Sequence, residues 1–239
     1  MSKYLTNKYN IYEIINSISN IRDEEKTLIK FVSSLGLKSD SKILDIGCGY
    51  GNKSELLRSH GFKVIGVEIN EDIVKANLGA GLECMTVSEF EQSKELYDVM
   101  IMSHIIEHFQ PNDLLKFMDN YLNRLKSGGY MIIATPLNSP HFYLDFDHIK
   151  PYHPIGLDMV FGNSNAQVQY YSHNQLQIED IWFRRGPLKM LFFRSLYVRK
   201  YSKYNKLPSI INVGLTILFR LSLGLIGRTT GWMGLYKKA

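Results

Sequence analysis

The chain has 239 residues, 45% hydrophobic and 21% charged, with 18 glycines, seven prolines and two cysteines. That is ample apolar material for one large core, and it excludes collagen-like, low-complexity and disulfide-stapled classes. The formal charge of +5 hides an uneven distribution: no Asp or Glu follows Asp180, so residues 181–239 carry +12, against 16 basic and 23 acidic residues in the first 180. An acidic body is therefore joined to a basic tail. The paucity of cysteine and the polar opening, without the apolar run of a leader, point to a reducing, cytoplasmic setting.

Ile11, Ile14, Ile15 and Ile18 lie at helical spacing, and Leu28, Ile29, Phe31, Val32 and Leu35 repeat the pattern behind an acidic start at Asp23-Glu24-Glu25. From Lys42 the signal becomes strand alternating with helix. Strands are predicted at 42–46, 63–68, 82–87, 97–102 and 130–134, with helices through Leu56-Leu57, over 71–78 and from Pro111 through Leu125, where Lys126 and Gly128 end it. Such alternation implies a parallel sheet covered on both faces, a doubly wound, Rossmann-like α/β fold. A short helix near 155–162 and a strand near 176–184 follow, then two helices over 187–206 and 208–227 and a last strand at 234–238. The chain thus divides into an N-terminal helical segment (1–40), an α/β core (41–186) and a basic helical insertion with the final strand (187–239).

In such sheets ligands bind beyond the carboxyl ends of the strands, near the first of them. Asp45-Ile46-Gly47-Cys48-Gly49-Tyr50-Gly51 stands there, and Glu68 closes the second strand. Glycines permit a sharp turn and close backbone approach, while a carboxylate at the strand end suits ribose hydroxyls. A dinucleotide loop has the spacing Gly-x-Gly-x-x-Gly; here it is Gly-x-Gly-x-Gly, preceded by an acid that would repel phosphate. The pattern favours a ligand with a ribose and a cationic amine, S-adenosylmethionine rather than a nicotinamide dinucleotide.

Four blocks in this order resemble the class I S-adenosylmethionine-dependent methyltransferases, in particular those of small-metabolite and polysaccharide pathways. They are Ile43–Gly51, Val64–Ile69, Tyr97–His108 and Leu125–Tyr130. The resemblance implies a seven-stranded, mostly parallel sheet whose last strand is antiparallel. It implies that Asp45 and the backbone of Gly47, Cys48, Gly49 and Gly51 hold the amino-acid end of the cofactor. Glu68 would take the ribose hydroxyls, Ile69 and Ser88 would flank the adenine, and Ser103 would approach the methionine part.

A hydroxyl acceptor has a high pKa and wants a base, for which histidine is suited. Six of seven histidines lie between 104 and 173. His104 and His108 either anchor the loop after the fourth strand or, for His108, assist catalysis. Asp147-His148-Ile149-Lys150-Pro151-Tyr152 resembles the segment that precedes the helix before the sixth strand in bacterial methyltransferases of small-metabolite and polysaccharide pathways, and by that resemblance His148 is the candidate general base. Asp145, Asp147, His148 and His153 lack tight ligand spacing, so no metal is expected. Cys48 and Cys84 read as packing residues.

In the tail, Met190, Phe193, Tyr197, Tyr201 and Tyr204 share one helical face and Ile210, Ile211, Ile217, Leu218, Leu221 and Leu225 another. Three roles fit: a lid on the body, an interfacial element on anionic lipid through 187–228, or, less favoured, a nucleic-acid surface. Arg220 disfavours a full membrane span. The sequence thus leads to an O-methyltransferase acting on a sugar or lipid-linked glycan, cytoplasmic or peripheral at the inner membrane face. The alternatives are an RNA or other small-metabolite methyltransferase and a non-catalytic cofactor-binding module.

Overall fold

The computed structural model describes residues 23–139, 142–162, 167–190 and 206–239. The isoleucine pattern of 11–18, His141 and residues 191–205 of the expected helix lie outside the described residues.

In chain order the elements are α1 (Glu24–Ser34), β1 (Lys42–Ile46), α2 (Asn52–Ser59), β2 (Lys63–Glu68), α3 (Glu71–Gly79), β3 (Cys84–Thr86), α4 (Val87–Gln92), β4 (Tyr97–Ser103), α5 (Pro111–Leu122), β5 (Leu125–Pro136), α6 (Pro154–Phe161), β6 (Leu176–Gly186), α7 (Lys206–Leu221) and β7 (Arg228–Lys238). The strands form one sheet in the order β3-β2-β1-β4-β5-β7-β6. β1 pairs in parallel with both β2 and β4, β4 in parallel with β5, and β7 runs antiparallel to β5. Strand order reverses at β1, so the carboxyl ends of β1 and β4 flank the crevice where such sheets bind ligands.

Both faces of the sheet are buried, and alternate side chains of each strand go to opposite faces. Leu44, Ile46, Ile65, Val67, Met100, Met102, Met131 and Ile133 join one cluster with α5 and α6, completed by Trp232 and Tyr236. Ile43, Val64, Val99, Ile101, Ile132 and Ala134 join the other with Leu28, Phe31 and Val32 of α1 and Leu57 of α2.

Residues 27–183 and 231–239 make one compact unit. The second unit consists of the described parts of 1–26 and 184–230. Within it the Arg184 guanidinium pairs with Glu24 at 2.9 Å, and the Asn212 side chain bonds both backbone groups of Met190, at 2.8 and 3.1 Å.

Several boundaries differ from the sequence expectation. α5 stops at Leu122 rather than Leu125, because the carbonyl of Arg124 accepts the Tyr97 N–H at 2.9 Å and Leu125 already begins β5. β3 is shorter than 82–87, since Thr86 caps a helix that the apolar periodicity did not reveal: its hydroxyl accepts from Glu89 N at 3.2 Å while the Glu89 carboxylate accepts from Thr86 N at 2.7 Å. The final strand begins six residues earlier than expected, at Arg228, and α7 ends at Leu221, followed by left-handed Leu223 (φ 51°) and Gly224 (φ 83°).

Candidate functional site

The first half of the site is built from backbone. Gly47 N and Cys48 N both donate to Val67 O, at 2.7 and 3.1 Å, folding the loop back over β2. Gly47, Gly49 and Gly51 all have positive φ, 65°, 53° and 73°. At Gly47 a Cβ would lie 2.2 Å from Ile105 Cδ1, which places the segment after β4 directly against the loop. At Gly49 a Cβ would meet nothing within 4 Å, so the outer side of the loop is open to a ligand. Asn77, buried in α3, donates to Gly49 O at 2.8 Å and fixes the loop from behind.

Asp45 is 2% exposed. Its carboxylate accepts from Ser54 Oγ at 2.7 Å in the first turn of α2. Burial raises its pKa from 3.8 to about 6, against the opposing pull of the Ser54 hydroxyl and Lys53. An acid held ionised here lacks a full countercharge among the described residues, which a ligand ammonium could supply.

Glu68, 9% exposed, is oriented by three backbone donors. Its Oε1 accepts from Ile69 N and Asn70 N at 2.9 and 3.1 Å, and its Oε2 from Gly49 N at 3.0 Å. Of about four acceptor positions on a carboxylate, the described residues fill three, and the fourth, on Oε2, could accept from a ribose hydroxyl. Ile69 is 83% exposed beside it, an apolar surface for a flat ring. Ser88 is exposed in the first turn of α4, and Ser103 is half-buried at the end of β4. Cys48 Sγ lies 3.7 Å from Cys84 Sγ, and burial pushes the Cys48 thiol well above its usual value, which suits packing and not nucleophilic attack.

The second half is built from side chains. His104, just past β4, is left-handed (φ 59°) while its N–H donates to Ala134 O at 2.8 Å. A bulky residue in that region carries strain, which turns the chain sharply into the short 3-10 segment Ile106–His108. The carbonyl of Glu107 accepts Ile149 N and Lys150 N, at 2.9 and 3.1 Å, and so stitches the 142–150 loop to this turn. His108 and His148, 40 residues apart in sequence, thereby come together with ring centroids 5.0 Å apart. The Nδ1 of His108 lies 3.0 Å from Asp147 O and that of His148 lies 2.8 Å from Phe142 O. A carbonyl only accepts, so in both rings Nδ1 carries a proton, and it is Nε2 that holds the lone pair of the neutral ring.

His153 is set apart from this cluster: its Nδ1 accepts from Ile155 N at 3.4 Å and caps α6. Glu107, Asn77 and Ser54 were not singled out from sequence. Glu107 is 0% exposed, and its Oε2 accepts from Thr135 Oγ1 at 2.9 Å. A glutamate inside the apolar run Ile105-Ile106-Glu107-His108-Phe109 was the available signal. A cavity of about 260 Å³ lies between α5 and α6, lined by Leu114, Leu115, Leu157, Val160 and Phe161 and bounded by Lys150–His153.

A family profile described as a methyltransferase domain matches residues 21–186. Among curated proteins, a ubiquinone biosynthesis O-methyltransferase of Rickettsia bellii is 31% identical over 146 residues, 58% of this chain and 59% of its own length. Phosphoethanolamine N-methyltransferase 1 of Zea mays is 27% identical over 124 residues, covering 48% of this chain and 24% of that protein. The chain therefore spans well under two thirds of either relative. A SAM-dependent methyltransferase from Archaeoglobus fulgidus superposes with a TM-score of 0.57 at 24% identity, covering 89% of this chain and 92% of that one. The N-methyltransferase NodS of Bradyrhizobium japonicum, in complex with S-adenosyl-L-homocysteine, gives 0.53 at 12% identity, over 90% and 85%. With the profile matching well over half its length, the chain belongs to the methyltransferase domain family, with the class I fold and S-adenosylmethionine as cofactor.

Proposed function

We propose that the chain is an S-adenosylmethionine-dependent O-methyltransferase whose acceptor is a hydroxyl on a small molecule with an apolar portion, a sugar or lipid-linked glycan. Bound S-adenosylmethionine supplies a methyl group on a sulfonium. The chain's own work is to bind, align and deprotonate. Asp45 holds the ammonium end, the open side of the Gly47–Gly51 loop admits the chain behind it, and Glu68 orients the ribose through its remaining acceptor position. Alignment of the acceptor with the methyl contributes much of the rate.

The observation that carries the O-transfer reading is the convergence of His108 and His148 on the segment that abuts Gly47. A hydroxyl placed against their Nε2 lone pairs has somewhere to send its proton, and His148 is the base. The apolar cavity beside Lys150–His153 fits the non-reacting part of the acceptor. The name of the Rickettsia relatives, O-methyltransferases of ubiquinone biosynthesis, supports transfer to oxygen.

The second unit supplies a docking surface for anionic membrane. Ile210, Val213, Ile217 and Leu221 recur along one stripe of α7 and are 67%, 59%, 53% and 78% exposed, with Leu223 and Leu225 at 80% beyond its end. That apolar row lies in a stretch with twelve basic residues and no acidic one. An apolar stripe among cations is the composition of an element that lies in the headgroup boundary. No helix among the described residues is long and apolar enough to cross a membrane. The test is an acceptor screen with radiolabelled cofactor, with and without anionic lipid. Label appearing on an alkali-stable ether of a lipid-extractable or sugar acceptor is expected, and label on an amine or on RNA would overturn the reading.

A further inference from the structure

We propose that Glu107, His108 and His148 form a binding site for a divalent cation of the zinc–manganese class. The reading of the reaction above decides only what the cation does there, not whether it binds. Donor atoms of the three side chains lie within 4.8 Å of one another. Ligand atoms around a tetrahedral ion of this kind stand about 3.4 Å apart, so the widest separation has to close by up to about 1.4 Å, within the reach of side-chain rotation.

Three observations point to a cation and not to packing. First, both imidazoles donate Nδ1–H to backbone carbonyls, Asp147 O and Phe142 O. That outer bond fixes the tautomer and directs an Nε2 lone pair outward, the arrangement of metal-bound histidines. Second, Glu107 is 0% exposed, yet among the described residues its Oε1 is buried without accepting a hydrogen bond. Its ion-pair neighbour is His104 Nδ1 at 3.3 Å, a countercharge only when that imidazole is protonated. Burying a carboxylate oxygen in this state is costly unless a cation completes it. Third, the Nε2 of His148 faces another carboxylate oxygen, Asp145 Oδ2, at 3.6 Å. A carboxylate beside that nitrogen adds negative potential at the position where a cation would sit. Two imidazoles and a carboxylate, leaving open positions, are a donor set for zinc and its neighbours rather than for calcium or magnesium.

The set differs from the sequence expectation of no metal. Of the residues considered there, His148 alone belongs to it; His153 caps a helix, and Glu107 and His108 replace the aspartates as ligands. A bound cation would take both Nε2 lone pairs and would lower the pKa of an acceptor oxygen that reaches it, the hydroxyl proton then leaving to solvent instead of to His148.

The test uses the full chain, treated with chelator and titrated calorimetrically with Zn²⁺ and Mn²⁺. Co²⁺ absorption in the visible serves as a second readout, and S-adenosylhomocysteine binding is measured on the same samples. One equivalent per chain is expected, with affinity lowered by about tenfold or more in Glu107→Gln, His108→Asn and His148→Asn and unchanged in His60→Asn and His153→Asn. No binding by the wild-type chain, or equal affinity across ligand variants and controls, would overturn the site. Where the buried Glu107→Gln protein fails to fold, the half-buried His108→Asn protein decides between these outcomes. Loss of S-adenosylhomocysteine binding with metal binding intact would strike at the methyltransferase reading and leave the cation site standing.

Discussion

The cofactor half and the acceptor half of the site are made by opposite strategies. Residues 45–70 form a local unit, one strand-loop-helix-strand passage in which backbone N–H groups and glycine conformations do the shaping. Residues 103–153 form a non-local one, in which two distant segments are joined by main-chain bonds at Glu107 so that imidazoles and a carboxylate converge. The local half has little freedom to vary its chemistry. The non-local half can change acceptor by changing side chains on the same frame.

That contrast is open to being broken. His148→Ala should lower turnover by about 10²–10⁴-fold while leaving S-adenosylhomocysteine affinity within about twofold; a calorimetric titration beside a rate measurement checks both. If cofactor affinity fell with turnover, the halves would not be separate.

Asp45→Asn should act in the reverse sense, weakening S-adenosylhomocysteine by about 10–100-fold through loss of a charged partner. It should also stabilise the ligand-free protein near pH 7. The folded pKa of Asp45, about 6, lies above its ordinary 3.8, so the folded state binds the extra proton between those values. Stability from this group is complete below about pH 4, declines as pH rises to 6, and stays lower above it, by roughly 3 kcal/mol. Thermal melts of the two proteins should therefore diverge at pH 7 and converge at pH 4. For the same reason wild-type cofactor affinity should weaken as pH falls below 6.

Ile217→Asp or Leu221→Asp should reduce sedimentation with anionic vesicles by roughly tenfold, the loss of one buried aliphatic side chain. Cofactor affinity should stay unchanged, and only KM for a membrane-borne acceptor should rise. A change in cofactor affinity would tie the second unit to the local half. The smallest effect expected is that of Ser54→Ala, which removes the 2.7 Å bond to Asp45. It should weaken cofactor by about fivefold, the worth of one hydrogen bond near 1 kcal/mol, visible in the same titration.

The two halves also differed in how far the sequence disclosed them. Asp45, the glycines and Glu68 stand at strand ends that hydrophobic runs locate, so periodicity alone brought them to one edge of the sheet. His148 was reachable only by its loop, and its pairing with His108 depends on main-chain bonds from Glu107 that no periodicity encodes. Glu107 went unremarked because a buried acid in an apolar run looks like an interruption until Thr135 and His104 are seen around it. The helix behind Thr86 was missed for a different reason: six residues are too few to show a period, and only the Thr-x-x-Glu cap announced it.

The sheet closes with its last strand. β7 inserts between β5 and β6, and Trp232 on it donates from Nε1 to Tyr152 O at 2.9 Å, while the Tyr152 hydroxyl donates to Phe109 O at 3.0 Å. The loop that presents His148 is thus latched by a residue 80 positions beyond Tyr152. During synthesis the latch must wait for residue 232. Until β7 has paired with β5, the loop that carries His148 lacks the bond that holds it, so the histidine pair depends on a segment that contributes no atom to it.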